Sequence, residues 1–213
     1  MIITPEEKPG NLEEKADVVV VGSGAGGAVV AAELAEAGLD VAVVEEGRGP
    51  GGNEGSTPLE RVRALYRNQG FTATVGNTFI PVPLGRTLGG TTRINSGTCW
   101  RAPEDILKHW QNDCGIPGLA GGGLDDEYER VEKAIHVSPV AEEFLGEGAR
   151  AFRRGAEALG LKGETIKRNA RDCRGSGLCA FGCARGAKQS TDVSYMPRAL
   201  RAGARVHVGA RAE

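Results

Sequence analysis

The stretch from Asp17 to Gly47, DVVVVGSGAGGAVVAAELAEAGLDVAVVEEG, decides the fold. Asp17 to Val21 is a continuous β-branched run, the pattern of a strand buried on both faces. Gly22 to Gly27 is a turn. Ala25 to Ala37 is alanine-rich with apolar residues at helical spacing, and Gly38 is placed to close that helix just past its end. Asp40 to Glu45 reads as a second buried strand. The three elements make one β-α-β unit of the length used to bind a dinucleotide.

The turn fits G-x-G-x-x-G at Gly22, Gly24 and Gly27, with Ser23, Ala25 and Gly26 between them. The first glycine permits the tight bend and the second lets backbone approach a pyrophosphate. The third lets helix and strand pack closely. The helix N-terminus then offers free N–H groups and partial positive charge to the phosphates. Glu45, ending the second strand, is placed to accept hydrogen bonds from a ribose diol; Glu46 is the weaker candidate. An acid there disfavours a 2′-phosphate, and hence NADP.

Working outward, residues 1–15 (MIITPEEKPGNLEEK) are polar and acidic and read as a flexible N-terminus without a signal peptide. The most apolar run, Val18 to Ala32, is too short and glycine-rich for a membrane span. Net charge is −2 and no basic stripe alternates with aromatics, so nucleic acid is not an expected partner. Five cysteines without an export signal argue against a disulfide framework and for a cytoplasmic protein.

After Glu45 the chain runs through an irregular Gly-, Pro- and Asn-rich segment to a second glycine loop, GRTLGGTTRIN, Gly85 to Asn95. The order GSGAGG, VVEEG, GRTLGGTTRIN, GTCWRAPED resembles the N-terminal half of the glucose–methanol–choline (GMC) flavoprotein oxidoreductases, over nearly the whole chain. Gly89, Gly90, Thr91, Thr92 and Asn95 match that family's G-G-S-S-x-x-N motif with threonine for serine. The resemblance implies an α/β, Rossmann-like FAD-binding domain spanning residues 16–213, with FAD rather than NAD. The second loop is then expected along the isoalloxazine. Some members attach FAD through a histidine just before that asparagine; here Ile94 stands there, so dissociable FAD is expected.

Between the loops and the C-terminal region, Pro103 to Trp110, Asp125 to Ile135 and Glu147 to Leu159 read as helices. Trp100, Trp110 and Tyr128 are expected in the core. His109, His136 and His207 share no ligand spacing and are read as structural or surface residues.

The stretch CRGSGLCAFGCARGAKQS, residues 173–190, carries Cys173, Cys179 and Cys183 spaced C-x5-C-x3-C. A bacterial ferredoxin run places its cysteines similarly, but Ser176 stands at its second position and Ala184 follows the last. In a branch of the GMC family that includes FAD-dependent sugar dehydrogenases, thiols at this spacing hold a three-iron (3Fe-4S) cluster. Long-chain alcohol oxidases of the same superfamily carry a Cys/Gly-rich turn before a similar GAKQSTDV segment, with structural cysteines. Zinc would want a fourth ligand, and no histidine lies nearby. A metal role for the three thiols and a structural one therefore both stand.

The resemblance further implies hydride transfer from an alcohol or sugar hydroxyl to flavin N5. With a cluster, electrons would pass on to an acceptor protein; an oxygen-using long-chain alcohol oxidase is the alternative. The family's base, a histidine with a histidine or asparagine partner far toward the C-terminus, has no counterpart, so no catalytic residue is assigned. The chain reads as a truncated FAD domain lacking the C-terminal substrate domain, and a non-catalytic FAD-binding remnant is a further alternative.

Overall fold

The computed structural model describes residues 1–8, 10–49 and 55–213. They divide into two compact units: Met1–Gly97 with Ser176–Glu213, and Thr98–Gly175. One domain was expected over residues 16–213; by compactness the first unit is made of two chain segments, and the second unit lies between them in sequence.

The first unit holds a four-stranded parallel sheet of β1 (Ile2–Ile3), β2 (Val18–Val21), β3 (Val41–Glu45) and β6 (Arg205–Val208), in the order β1-β6-β3-β2. β2 and β3 pair in register from Val18↔Val41 to Val21↔Val44. The crossover between them is α1 (Ala25–Glu36), as the alternation of β-branched and alanine-rich runs predicts. Ala28, Ala31, Ala32 and Ala35 recur at i, i+3, i+4 and i+7 and are all buried. This face of small side chains brings α1 close to the sheet and to α6 (Tyr195–Arg201), which buries Tyr195, Met196 and Ala199. Arg198 ties the two helices, giving Nε to Glu36 at 2.9 Å and Nη2 to Glu33 at 3.2 Å. α1 ends at Ala37, and Gly38 follows with φ +90°.

Two expectations need correction. β2 is not buried on both faces: Val20 is buried against α1, but Val19 and Val21 are 60% and 67% exposed. β2 is an edge strand, and side chains alternate across a sheet, so only the face beneath the helix is covered. Residues 1–15 were expected to be flexible, yet they begin with a sheet strand. Ile2 and Ile3 pair with Val206 and His207, the Met1 ammonium donates to the Ala204 carbonyl at 2.7 Å, and Glu14 lies 2.7 Å from both Arg205 and His207.

The irregular segment after β3 contains a helix that sequence reading missed, α2 (Pro58–Leu65). Its signal was present: Thr57 and Glu60 form a reciprocal capping box, with Pro58 at the first helical position.

The second unit comprises α3 (Glu104–Asn112), α4 (Asp125–Ala134), α5 (Glu147–Ala158) and an antiparallel ribbon of β4 (Val137–Pro139) and β5 (Lys167–Asn169). The three helices fall where expected, with Gly160 in a left-handed conformation just beyond α5. Asp125 does not cap α4; Leu124 holds that position without a side-chain bond. The tryptophans differ from expectation, with Trp100 77% exposed and Trp110 41%. α3 buries Leu107 instead. Among the described residues no helix is long and apolar enough to cross a membrane.

Candidate cofactor site

The site lies in the first unit, at the carboxyl ends of β2 and β3, where open α/β sheets place ligands. Gly22 leaves β2 with φ +88° and its N–H on the Val44 carbonyl at 2.8 Å. Gly24 is the N-cap of α1; no side chain caps that end, and its first turn holds no acid. An uncapped helix start presents donors and partial positive charge to whatever occupies the space before it.

Gly27 packs as the motif requires. A Cβ there would stand 2.0 Å from the Gly22 carbonyl oxygen and 3.2 Å from Val20. A Cβ on Gly24 would meet nothing within 4 Å, so backbone alone faces the space in front of α1.

The second glycine loop comes back over the first. Leu88 N–H bonds the Arg48 carbonyl at 3.0 Å, and Gly89 turns the chain with φ +91° into a short 3-10 segment, Gly90–Arg93. A Cβ on Gly90 would lie 3.1 Å from Gly24 Cα, so the two loops touch backbone to backbone.

Ser23 and Glu45 join the loops. Ser23 is fully buried and donates Oγ–H to the Glu45 carboxylate at 2.6 Å. The same Oγ accepts the Gly89 N–H at 2.9 Å. Glu45, 5% exposed, also takes the Ser23 N–H at 2.9 Å and the Gly47 N–H at 2.7 Å. Three donors on a buried carboxylate are what keep such a charge tolerable. Thr191 extends the web: its Oγ lies 2.9 Å from the Ser23 carbonyl and 3.1 Å from the Thr92 hydroxyl. Arg93 and Asp192, both nearly buried, pair at 3.2 Å behind Gly89.

The resulting cleft, about 430 Å³, is lined by Gly22, Gly24, Glu45, Gly90 and Thr91 from the sequence-predicted set. Val21, Val44, Glu46, Arg67, Gly85 and Ala210 to Ala212 complete it. Arg67 pairs with Glu46 inside it. Of the remaining predicted residues, Ser23, Gly27, Gly89 and Thr92 hold the loops together, while Ala25 and Gly26 open α1. Asn95 accepts the Gly97 N–H on its side chain at 3.0 Å. The donors, the side-chain-free approach and the acids beyond the strands fit a dinucleotide.

Two contributors were not identified in the sequence. Lys188, 3% exposed, donates to three backbone carbonyls, and Thr191 bridges the loops. Neither carries a local signal, since Lys188 reaches Arg93 and Asn95 and Thr191 reaches Ser23 and Thr92, all more than 90 residues away in the chain.

The cysteine motif is arranged differently. Cys173 belongs to the second unit; Cys179 and Cys183 belong to the first. Gly175 N–H approaches the Cys173 sulfur at 3.4 Å. Burial works to raise the Cys183 thiol's pKa, but N–H groups of Lys188, Arg185 and Ala187 and the Lys188 charge outweigh it and bring the pKa below the ordinary value. Among the described residues no three His, Cys, Asp or Glu side chains gather to hold a metal.

Comparison with known proteins follows the same lines. Residues 62–213 match the family model described as GMC oxidoreductase, and residues 20–79 match the NAD(P)-binding Rossmann-like domain. The chain is 42% identical over 205 residues to an uncharacterized GMC-type oxidoreductase of Mycobacterium tuberculosis, covering 93% of this chain and 32% of that protein. It is 34% identical over 203 residues to a long-chain-alcohol oxidase of Arabidopsis thaliana, covering 93% and 26%. Among solved structures, pyridoxine 4-oxidase from Mesorbium loti superposes with a TM-score of 0.64 at 20% identity, covering 92% of this chain and 42% of that one. The chain spans about a third of the length of the first of these relatives. With a family match over most of its residues, the chain belongs to the GMC oxidoreductases.

Proposed function

We propose that this chain is the FAD-binding portion of a GMC-type oxidoreductase that oxidises an alcohol. The observation that carries this is the cleft where the bare start of α1, the buried Glu45 carboxylate and the Gly89–Gly90 turn converge. N–H groups at the start of α1 bind the pyrophosphate, and Gly24 admits it. Glu45 and Glu46, at the end of β3, face the ribose. The segment from Gly90 to Asn95 orients the isoalloxazine. FAD, when bound, supplies a hydride acceptor at N5. Ile94 is buried and has no nucleophile, so the cofactor is held without a covalent bond at this position. No residue of this chain is assigned as the base that takes the hydroxyl proton.

A long-chain alcohol is the favoured substrate, and oxygen the favoured electron acceptor. Their support is the likeness to the Arabidopsis oxidases across 93% of the chain. A sugar dehydrogenase passing electrons through iron and sulfide to an acceptor protein is the second reading. It rests on the spacing of Cys173, Cys179 and Cys183 alone, and the proposed function includes no step through them.

The test is purification of the full-length protein under anaerobic conditions. Expected are one FAD per chain, no bound iron, and peroxide formation with a long-chain alcohol in air. A colourless protein that takes up no FAD overturns the proposal. Stoichiometric iron and sulfide, with oxygen unused, would replace the oxidase by the dehydrogenase. A non-catalytic remnant would bind FAD, and gain thermal stability from it, yet turn over no alcohol.

A further inference from the structure

Lys188 joins the end of the second glycine loop to the cysteine turn. Its side chain is buried, and its ammonium donates to the carbonyls of Arg93 at 2.8 Å, Asn95 at 2.7 Å and Cys179 at 2.8 Å. An ammonium has three donors, and all three are used at good distance. Two of the acceptors end the second glycine loop. The third opens the cysteine turn.

That turn is itself held from outside. The Ala180 carbonyl accepts the Tyr66 hydroxyl at 2.6 Å, and the Phe181 and Gly182 carbonyls accept Arg61 at 3.1 and 2.9 Å. Four consecutive carbonyls, 179 to 182, are thus bonded by side chains from α2, its C-terminal end and Lys188. The turn forms a fixed wall, and Lys188 fastens the end of the glycine loop to it.

We propose that Lys188 is a positioning residue that sets the Arg93–Asn95 backbone, and with it the Asn95 side chain, for the flavin. The proposal rests on the FAD reading above. Lys188 acts through Asn95: with its ammonium removed, the three carbonyls lose their common partner and the loop end is free to shift away from the cysteine turn. An arginine keeps the charge, but its planar fork does not point three donors at three converging carbonyls.

The test is a double-mutant cycle on FAD affinity in the full-length flavoprotein, using K188M, N95A and the pair. Far-UV circular dichroism of the flavin-free proteins reports folding, and the visible flavin band reports the ring's surroundings. K188M is expected to fold, to weaken FAD about tenfold and to shift the band; in the N95A background it should weaken FAD by less than about twofold. K188R should fall between. If K188M does not fold, K188R runs the same cycle against the same criterion of non-additivity. K188M binding FAD within twofold of the unmodified protein, or a full penalty persisting in N95A, overturns the proposal. An unmodified protein that takes up no FAD overturns the flavin reading instead, and the role of Lys188 toward flavin with it.

Discussion

Gly26 and Gly27 are adjacent in α1, yet an added methyl group should do opposite things at the two positions. At Gly26 a Cβ meets nothing within 4 Å. Alanine in place of glycine inside a helix favours folding by about 0.5–1 kcal/mol, since the unfolded chain has less freedom to lose. At Gly27 the same gain is opposed by a Cβ placed 2.0 Å from the Gly22 carbonyl oxygen. That atom is backbone, fixed by the pairing of β2 with β3, so relief requires the helix start to move. Overpacking costs about 1–3 kcal/mol, and backbone against methyl belongs at the upper end. Subtracting the helix gain leaves a net loss of about 2 kcal/mol for Gly27→Ala. In a domain of this size about 1 kcal/mol shifts the melting temperature by about 2–4 °C. Thermal unfolding of the flavin-free proteins should therefore show Gly26→Ala about 1–4 °C above the parent and Gly27→Ala about 4–8 °C below it. Equal shifts of the same sign would refute the packing argument, because they would mean that Gly27 does not make the close contact with Gly22.

Three further outcomes are expected. Ser23→Ala removes one donor from Glu45 and leaves the Gly89 N–H without its acceptor in a buried site; denaturant unfolding should show a loss of roughly 2–4 kcal/mol. Asp192→Ala leaves Arg93 facing a nearly buried vacancy and should cost roughly 3–5 kcal/mol by the same assay, whereas Arg93→Met with Asp192→Ala should recover part of it. Hydrogen bonding to Arg198 holds the Glu36 carboxyl below its ordinary pKa of 4.5, so the unfolded chain binds more protons there; the contribution is present above that pH and lost as pH falls through the folded value. Melting temperature against pH should fall less steeply below about pH 4.5 in Arg198→Met than in the parent.

The β-α-β core was legible because its determinants are local. A β-branched run, a glycine turn and an alanine stripe specify neighbours within thirty residues, and β2, α1 and β3 fall within a residue or two of expectation. The edge position of β2 was not legible, because four valines in a row read the same whether one face is covered or two. Ile2 and Ile3 are too short a run to announce a strand; their partner lies some two hundred residues away. The glycines of both loops were found by pattern, and five of the predicted residues line the cleft. Ser23, whose side chain turns inward to Glu45 and Gly89, could be named from its position but not its task. Nothing in the sequence marks Lys188, since burial of its ammonium depends on three carbonyls that only the folded backbone brings together. The cysteines have a suggestive spacing, and its members fall in different units, which spacing alone does not reveal.

β6 lies between β1 and β3, so the sheet has no continuous middle until Arg205–Val208 has been synthesised. At about 5–20 residues per second, the roughly 160 residues separating Glu45 from Arg205 take about 8–30 s to emerge. Throughout that interval the inner edge of β3, with its unpaired amides and valines, is open to any other extended chain. This closure between residues far apart in the chain makes β3 the segment at which two unfinished copies would pair with each other.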